Sequence, residues 1–110
     1  MIPFRLEDMV RGWFIGPFDP SALHTPACEV AVKHFAAGER EAPHLHRVAT
    51  EVTLVISGRV RMGPHQIGPG EGLVLAPGTE SDFEALTDTV CVSVKVPGVP
   101  GDKVLSGRPP

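Results

Sequence analysis

The chain has 110 residues, of which 42% are hydrophobic and 21% are charged, and its formal net charge is −3. That length supports one hydrophobic core, and the composition is too apolar and too weakly charged for a disordered chain. Acidic side chains outnumber basic ones, so the chain lacks the positive charge with which proteins bind the phosphates of nucleic acid. No apolar run reaches the ~18 residues of a membrane span. We therefore predict one domain over residues 1–110, with neither nucleic acid nor membrane as a partner.

The first ten residues, MIPFRLEDMV, carry three charged side chains where a secretory leader needs an apolar stretch. We therefore expect a cytoplasmic protein. Residues 7–14 have room for one turn of helix at most. The two cysteines, Cys28 and Cys91, are far apart and belong to no CxxC motif, which predicts reduced, buried thiols.

Turn-forming pairs of glycine, proline and serine divide the middle of the chain into short pieces. Between these pairs lie apolar runs rich in β-branched residues, at 30–32, 52–56, 73–75 and 90–96. In the last run every second residue is valine, a period of two that is typical of a strand. Many short strands separated by such turns predict an all-β sandwich or barrel.

The residues best suited to chemistry follow the first of these strands. His44 and His46 are two residues apart, so an extended strand points both imidazoles to one face. Glu51 has the wrong parity for that strand, and we predict a turn through residues 47–50 that returns it beside the histidines. Two imidazoles and one carboxylate suit Fe(II), Mn(II), Ni(II) or Zn(II).

Five residues at fixed spacing carry a family resemblance, namely Gly38, His44, His46, Glu51 and Gly58. Their order and spacing resemble the first conserved motif of the cupin superfamily at every fixed position. The resemblance implies a cupin-type jelly-roll β-barrel that holds a divalent metal ion at His44, His46 and Glu51.

The resemblance extends over about residues 28–97, which we take as the barrel core. Residues 1–27 then form an N-terminal arm, and residues 98–110 form a C-terminal tail whose prolines exclude a central strand. These two segments could form edge strands, cover the end of the barrel or contact a second subunit. We expect the last four residues to fray.

The second cupin motif is incomplete. The chain aligns with it on Gly70 and Gly78, but Ser81 stands where the fourth ligand, a histidine, belongs, and Ala85 replaces an asparagine. Three protein ligands on an octahedral ion leave positions open for substrate. Alternatively, the missing imidazole weakens the site to a relict, or the triad forms hydrogen bonds without metal.

Four residues are predicted to bind substrate: Lys33, Arg61, Ser81 and Phe83. By analogy with the cupin strand that precedes the first motif, Lys33 faces the interior. There it either binds an anionic substrate group, with Glu29 as its ion-pair partner, or only pairs with Glu29. Phe83 shares the parity of Ser81, and the resemblance makes it a wall of the cavity. Arg61 either binds a substrate carboxylate or lies on a solvated face, and His34 faces outward.

The resemblance implies several functions. Our leading hypothesis is a metal-dependent enzyme, dioxygenase-like or isomerase/epimerase-like, that acts on a small polar or anionic molecule. The alternative is a non-catalytic sensor that binds a sugar or sugar nucleotide, and metal-free acid–base chemistry is a third, weaker hypothesis. Strand 52–56 is apolar on both faces apart from one threonine, so a second subunit is expected to cover one face. Cupins of this size are usually dimers, so the resemblance also implies a homodimer.

Overall fold

The computed structural model describes residues 1–106, which form eleven β-strands and one 3₁₀ turn. The 3₁₀ turn is Leu6–Asp8, and the strands are β1 Trp13–Gly16, β2 Leu23–His24, β3 Glu29–Phe35, β4 Arg40–His46, β5 Thr50–Ser57, β6 Val60–Met62, β7 His65–Ile67, β8 Gly72–Leu75, β9 Ser81–Ala85, β10 Thr89–Val96 and β11 Lys103–Leu105. Within residues 1–106, no helix is long or apolar enough to cross a membrane.

The strands form two sheets. The first has the order β2-β1-β3-β10-β5-β8, and the second has the order β11-β4-β9-β6-β7. All neighbouring strands are antiparallel except β1 and β2. Because strands distant in the sequence alternate between the two sheets, the chain closes into a jelly-roll barrel. The predicted all-β fold class is confirmed.

The four apolar runs lie inside the longest strands of the first sheet and in its edge strand β8. Strand β10 shows the predicted period of two, since Cys91 and Ser93 are buried and the alternating residues Val90, Val92 and Val94 are half-exposed. Shorter strands such as β6 and β7 have too few residues to show a period, and they were not predicted.

Both ends of the chain contribute strands. In the N-terminal arm, β1 pairs with β3, and in the C-terminal tail, β11 forms an edge of the second sheet beside β4. The edge position of β11 agrees with the expectation that the tail prolines exclude a central strand. The expected fraying of residues 107–110 lies outside the described residues.

One end of the barrel is filled by an apolar cluster of Val55, Val60, Met62, Ile67, Phe83 and Ala85. Each of these side chains is at most 6% exposed. Burial of a large apolar side chain contributes about 1.5–3 kcal/mol, so this cluster closes and stabilises that end. The inward residues at the opposite end are polar, and a cavity opens there.

Gly58 shows why the first motif ends in glycine. Its φ is +86°, a conformation that L side chains rarely adopt, and an added Cβ would lie 2.2 Å from the carbonyl oxygen of Asp88. The turn after β5 therefore excludes any side chain at this position.

Candidate metal site

A β-bulge in β4 sets the orientation of the histidines. Glu41 pairs with Phe83 and His44 pairs with Ser81, so β4 has one more residue than β9 between these pairs. Pro43 lies in the bulge, where its missing N–H costs no ladder hydrogen bond. Because of the extra residue, Glu41 and His44 both face the interior although they are three positions apart.

The predicted turn returns the chain to the histidines. Strand β4 ends at His46 and β5 begins at Thr50, which places Glu51 beside the two imidazoles. The ligand atoms of His44, His46 and Glu51 all lie within 4.8 Å of one another. The structure therefore brings together the three residues that the parity argument selected.

A backbone carbonyl orients His44. Its Nδ1 lies 2.8 Å from the carbonyl oxygen of Ala42. Because a carbonyl only accepts, Nδ1 carries the proton and Nε2 keeps its lone pair for a metal ion.

His46 is 7% exposed. Burial, followed by the charges of Lys95 and His44, lowers its pKa to about 4. The imidazole is therefore neutral at pH 7, and its 3.8 Å approach to Glu51 is not an ion pair. Its buried Nδ1 has no hydrogen-bond partner within residues 1–106.

The donor set fits a divalent ion. Two imidazoles and one buried carboxylate converge, and this is the ligand chemistry that Fe, Mn, Ni and Zn favour. These residues would hold the ion and leave its remaining coordination positions toward the cavity.

Ser81 occupies the place expected from the second motif. It is the cross-strand partner of His44, but its hydroxyl donates a 2.7 Å hydrogen bond to the carbonyl of Asp82. Asp82 itself turns away from the triad and accepts two hydrogen bonds from Arg61, at 3.1 and 2.8 Å. Neither residue joins the three ligands.

A cavity of about 1020 Å³ opens at the polar end of the barrel and is lined in part by all three members of the triad. A much smaller inner pocket lies toward the apolar core, and His44 and Glu51 line both spaces. The triad therefore stands where the open cavity meets the barrel interior.

The predicted substrate-binding residues are distributed unevenly. Lys33 lines both spaces, whereas Ser81 and Phe83 line only the inner pocket, where Phe83 packs on Phe35 with ring centroids 4.5 Å apart. Arg61 lines neither space, because its guanidinium is held by Asp82 on the outer face of the second sheet.

The expected pairing of Lys33 with Glu29 is wrong. Lys33 instead lies 3.8 Å from Glu41, and Glu29 lies 3.8 Å from Lys95. The cross-strand register explains the difference, since Lys95 is the direct partner of Glu29 across β3 and β10. Lys33 and Glu29 are four positions apart along one strand, too far for a close contact.

Among the cavity residues that sequence reasoning missed, Trp13, Glu41 and Lys95 lie close to the predicted Lys33. The alternation in β10 could have found Lys95, because it shares the parity of the buried Cys91 and Ser93. Glu41 was missed because the bulge changes its parity, and Trp13 was missed because it lies in the N-terminal arm.

No protein-family model matches the sequence, and no curated protein sequence does. Among solved structures, a protein with a double-stranded β-helix domain from Klebsiella pneumoniae aligns with a TM-score of 0.72 at 23% identity, over 96% of this chain and 92% of that one. KdgF from Halomonas sp. aligns with a TM-score of 0.63 at 23% identity, over 69% of this chain and 75% of that one. The DMSP lyase DddQ from Ruegeria pomeroyi aligns with a TM-score of 0.68 at 19% identity, over 86% of this chain and 49% of that one. At these identities the likeness establishes the fold: the chain is a small domain with the double-stranded β-helix, or cupin, fold.

Proposed function

We propose that this protein is a metal-dependent enzyme that acts on a small polar or anionic molecule. The observation that carries the proposal is the triad, whose three ligand atoms converge where the open cavity meets the barrel interior. A bound divalent ion would supply Lewis-acid chemistry at a substrate oxygen. Dioxygenase-like and isomerase- or epimerase-like reactions both suit such an ion with open positions.

Each surrounding residue has a definite part in this proposal. The carbonyl of Ala42 orients His44, and burial keeps His46 neutral. Lys33 supplies a positive charge to an anionic substrate at the side of the cavity. Ser81 and Phe83 shape the inner pocket, and Phe83 excludes water from it because it is 4% exposed and packed on Phe35.

The experiment is the metal content of protein purified without chelator and without a nickel tag. We expect about one ion of Fe, Mn, Ni or Zn per chain, and its loss in His46→Ala. His34→Ala is the matched control, because His34 also lines the cavity but is exposed and outside the triad. A parent protein that stays empty when each metal is supplied contradicts the proposal.

A second candidate is a non-catalytic sugar or sugar-nucleotide sensor. The observation that favours it is Ser81, whose hydroxyl is engaged by the backbone where cupins carry a fourth ligand. Saturable binding of a small molecule without turnover, unchanged by metal, would support the sensor over the enzyme. Turnover that requires metal and is lost in His46→Ala would support the enzyme.

We also propose that the protein is a homodimer. The outer face of the first sheet carries exposed apolar side chains, among them Val52, Leu54, Ile56 and Val74. Three adjacent strands, β10, β5 and β8, carry this face, and β3 extends it, so the four together are roughly 19 Å across at ~4.8 Å per strand. A continuous apolar face of this size is typical of a protein–protein interface. In the proposed dimer, two copies related by a two-fold axis pack against each other through this face.

A further inference from the structure

Two lysines approach the same tryptophan in the cavity. Trp13 is the cross-strand partner of Ala31, and its indole lies against the ammonium groups of Lys33 and Lys95, at 5.1 and 4.6 Å from the ring centroid. Both distances are within the range of cation–π attraction. The indole thus holds two positive charges close together beside the triad.

Neither ammonium has a hydrogen-bond partner within residues 1–106. Lys33 lies 3.8 Å from Glu41 and Lys95 lies 3.8 Å from Glu29, distances too long for hydrogen bonds. The two side chains are only 19% and 14% exposed, so water cannot fully replace the missing acceptors. An anion in the cavity would supply the acceptors that both groups lack.

The local charges make anion binding depend on the metal. The charged side chains that line the cavity are six carboxylates and four cations, so they carry two net negative charges, which repel an anion. A divalent ion at the triad cancels this excess. The carboxylates are Glu7, Asp19, Glu29, Glu39, Glu41 and Glu51, and the cations are Arg11, Lys33, Lys95 and Lys103.

We propose that Lys33 and Lys95, held against Trp13, form a subsite for the carboxylate group of a small organic acid, and that this acid binds after a divalent ion occupies the triad. The inference rests on the proposed function and names its substrate class. Lys95 is the direct cross-strand partner of Glu51, so the carboxylate subsite adjoins the ion. The acid therefore carries a second oxygen group, a hydroxyl or carbonyl, that faces the triad.

The test uses Trp13 as its own reporter, because the chain has one tryptophan. The full-length protein is loaded with Zn²⁺ and titrated with lactate, and separately with lactamide, its neutral counterpart. Tryptophan emission and titration calorimetry both report binding. We expect saturable binding of lactate that weakens about tenfold or more without Zn²⁺ or with lactamide, the loss of one charge-assisted contact.

Variants assign the binding to the two lysines. We expect Lys33→Gln and Lys95→Gln each to weaken lactate binding about tenfold. Lys103→Gln is the matched control, since Lys103 lines the same cavity but is exposed, and we expect less than about a twofold change. Zn²⁺ affinity, measured by competition with a coloured chelator, should stay the same or increase in Lys95→Gln, because a positive charge beside Glu51 is removed.

The outcomes are separable. Normal Zn²⁺ binding with no lactate signal by either method, or with equal effects of Lys95→Gln and Lys103→Gln, overturns the subsite and leaves the metal site intact. Lactate binding that is equal with and without Zn²⁺ overturns the dependence on metal. Inorganic phosphate that displaces lactate at lower concentration overturns the carboxylate assignment. A parent protein that binds no metal overturns the subsite and the proposed function together.

Discussion

Asp102, in the C-terminal tail, accepts a 2.9 Å hydrogen bond from the backbone amide of Ala49, in the turn between the two strands that carry the triad. The same carboxylate accepts hydrogen bonds from the amides of Arg47 and Val48, at 3.1 and 2.9 Å. Burial opposes its ionisation, but the amides of Ala49 and Val48 and the nearby His46 hold its pKa below the ordinary value. One side chain thus fixes the turn that joins His46 to Glu51.

We expect Asp102→Ala to reduce both stability and metal affinity. Removing a buried acceptor from three amides costs about 2–4 kcal/mol of unfolding free energy, measured by urea denaturation. Metal affinity should fall about 10- to 100-fold, as it does when partners of metal ligands are lost. Asp102→Asn keeps one acceptor oxygen and should recover part of both.

Asp88→Ala is the control for this prediction. The exposed side chain of Asp88 accepts a hydrogen bond from the amide of Ala37 at 2.9 Å. Its loss should cost about 1 kcal/mol or less and leave metal affinity unchanged. Equal effects of the two substitutions on metal affinity would contradict a specific role for Asp102.

Ser81→His should strengthen metal binding. Since Ser81 is the cross-strand partner of His44, an imidazole at position 81 would face the triad as a fourth ligand. We expect an increase in affinity of at least about tenfold, measured by chelator competition. Glu80→His, one residue earlier and exposed, should give no increase. If both variants bind like the parent, position 81 does not face the ion.

Acid should weaken the fold through Asp82. Its hydrogen bonds with Arg61 hold its pKa below the ordinary value of 3.8, so its stabilising contribution is complete above about pH 4. That contribution is lost as the pH falls through the lower, folded-state pKa. Because the pair is about one-third exposed, we expect about 1 kcal/mol or less.

The measurement for Asp82 is the urea midpoint between pH 7 and pH 2. Asp82→Asn should flatten the acidic limb of the curve. Glu80→Gln should leave its shape unchanged, because Glu80 is exposed and has no ion-pair partner among the described residues. A limb that is equally steep in Asp82→Asn and in the parent would assign acid sensitivity to other carboxyls.

The dimer is tested by Ile56→Glu. Ile56 is 52% exposed on the outer face of the first sheet, and a charge there would be buried in the proposed interface. We expect the dissociation constant to rise about 30-fold or more in sedimentation equilibrium. Ile2→Glu, at a residue 92% exposed and outside the strands, should have no effect. A parent that is monomeric at high concentration refutes the proposal.

Local periodicity was sufficient to predict the fold class and the convergence of His44, His46 and Glu51. His44 and His46 share a face because side chains alternate along any strand, and Glu51 needed one short turn. The turn glycines and the apolar runs act over a few residues as well. These features depend on neighbours in the chain, so the sequence alone determines them.

The rest depended on register between strands that are distant in the chain. The bulge at Pro43 turned Glu41 inward. The pairing of β3 with β10 placed Glu29 beside Lys95 rather than beside Lys33. Asp102 reached its turn from more than 50 residues away. Ion pairs and buried hydrogen bonds form where the closed barrel brings side chains together. Parity along a single strand carries no information about which residues of distant strands become neighbours. Only the tertiary structure could therefore decide these contacts.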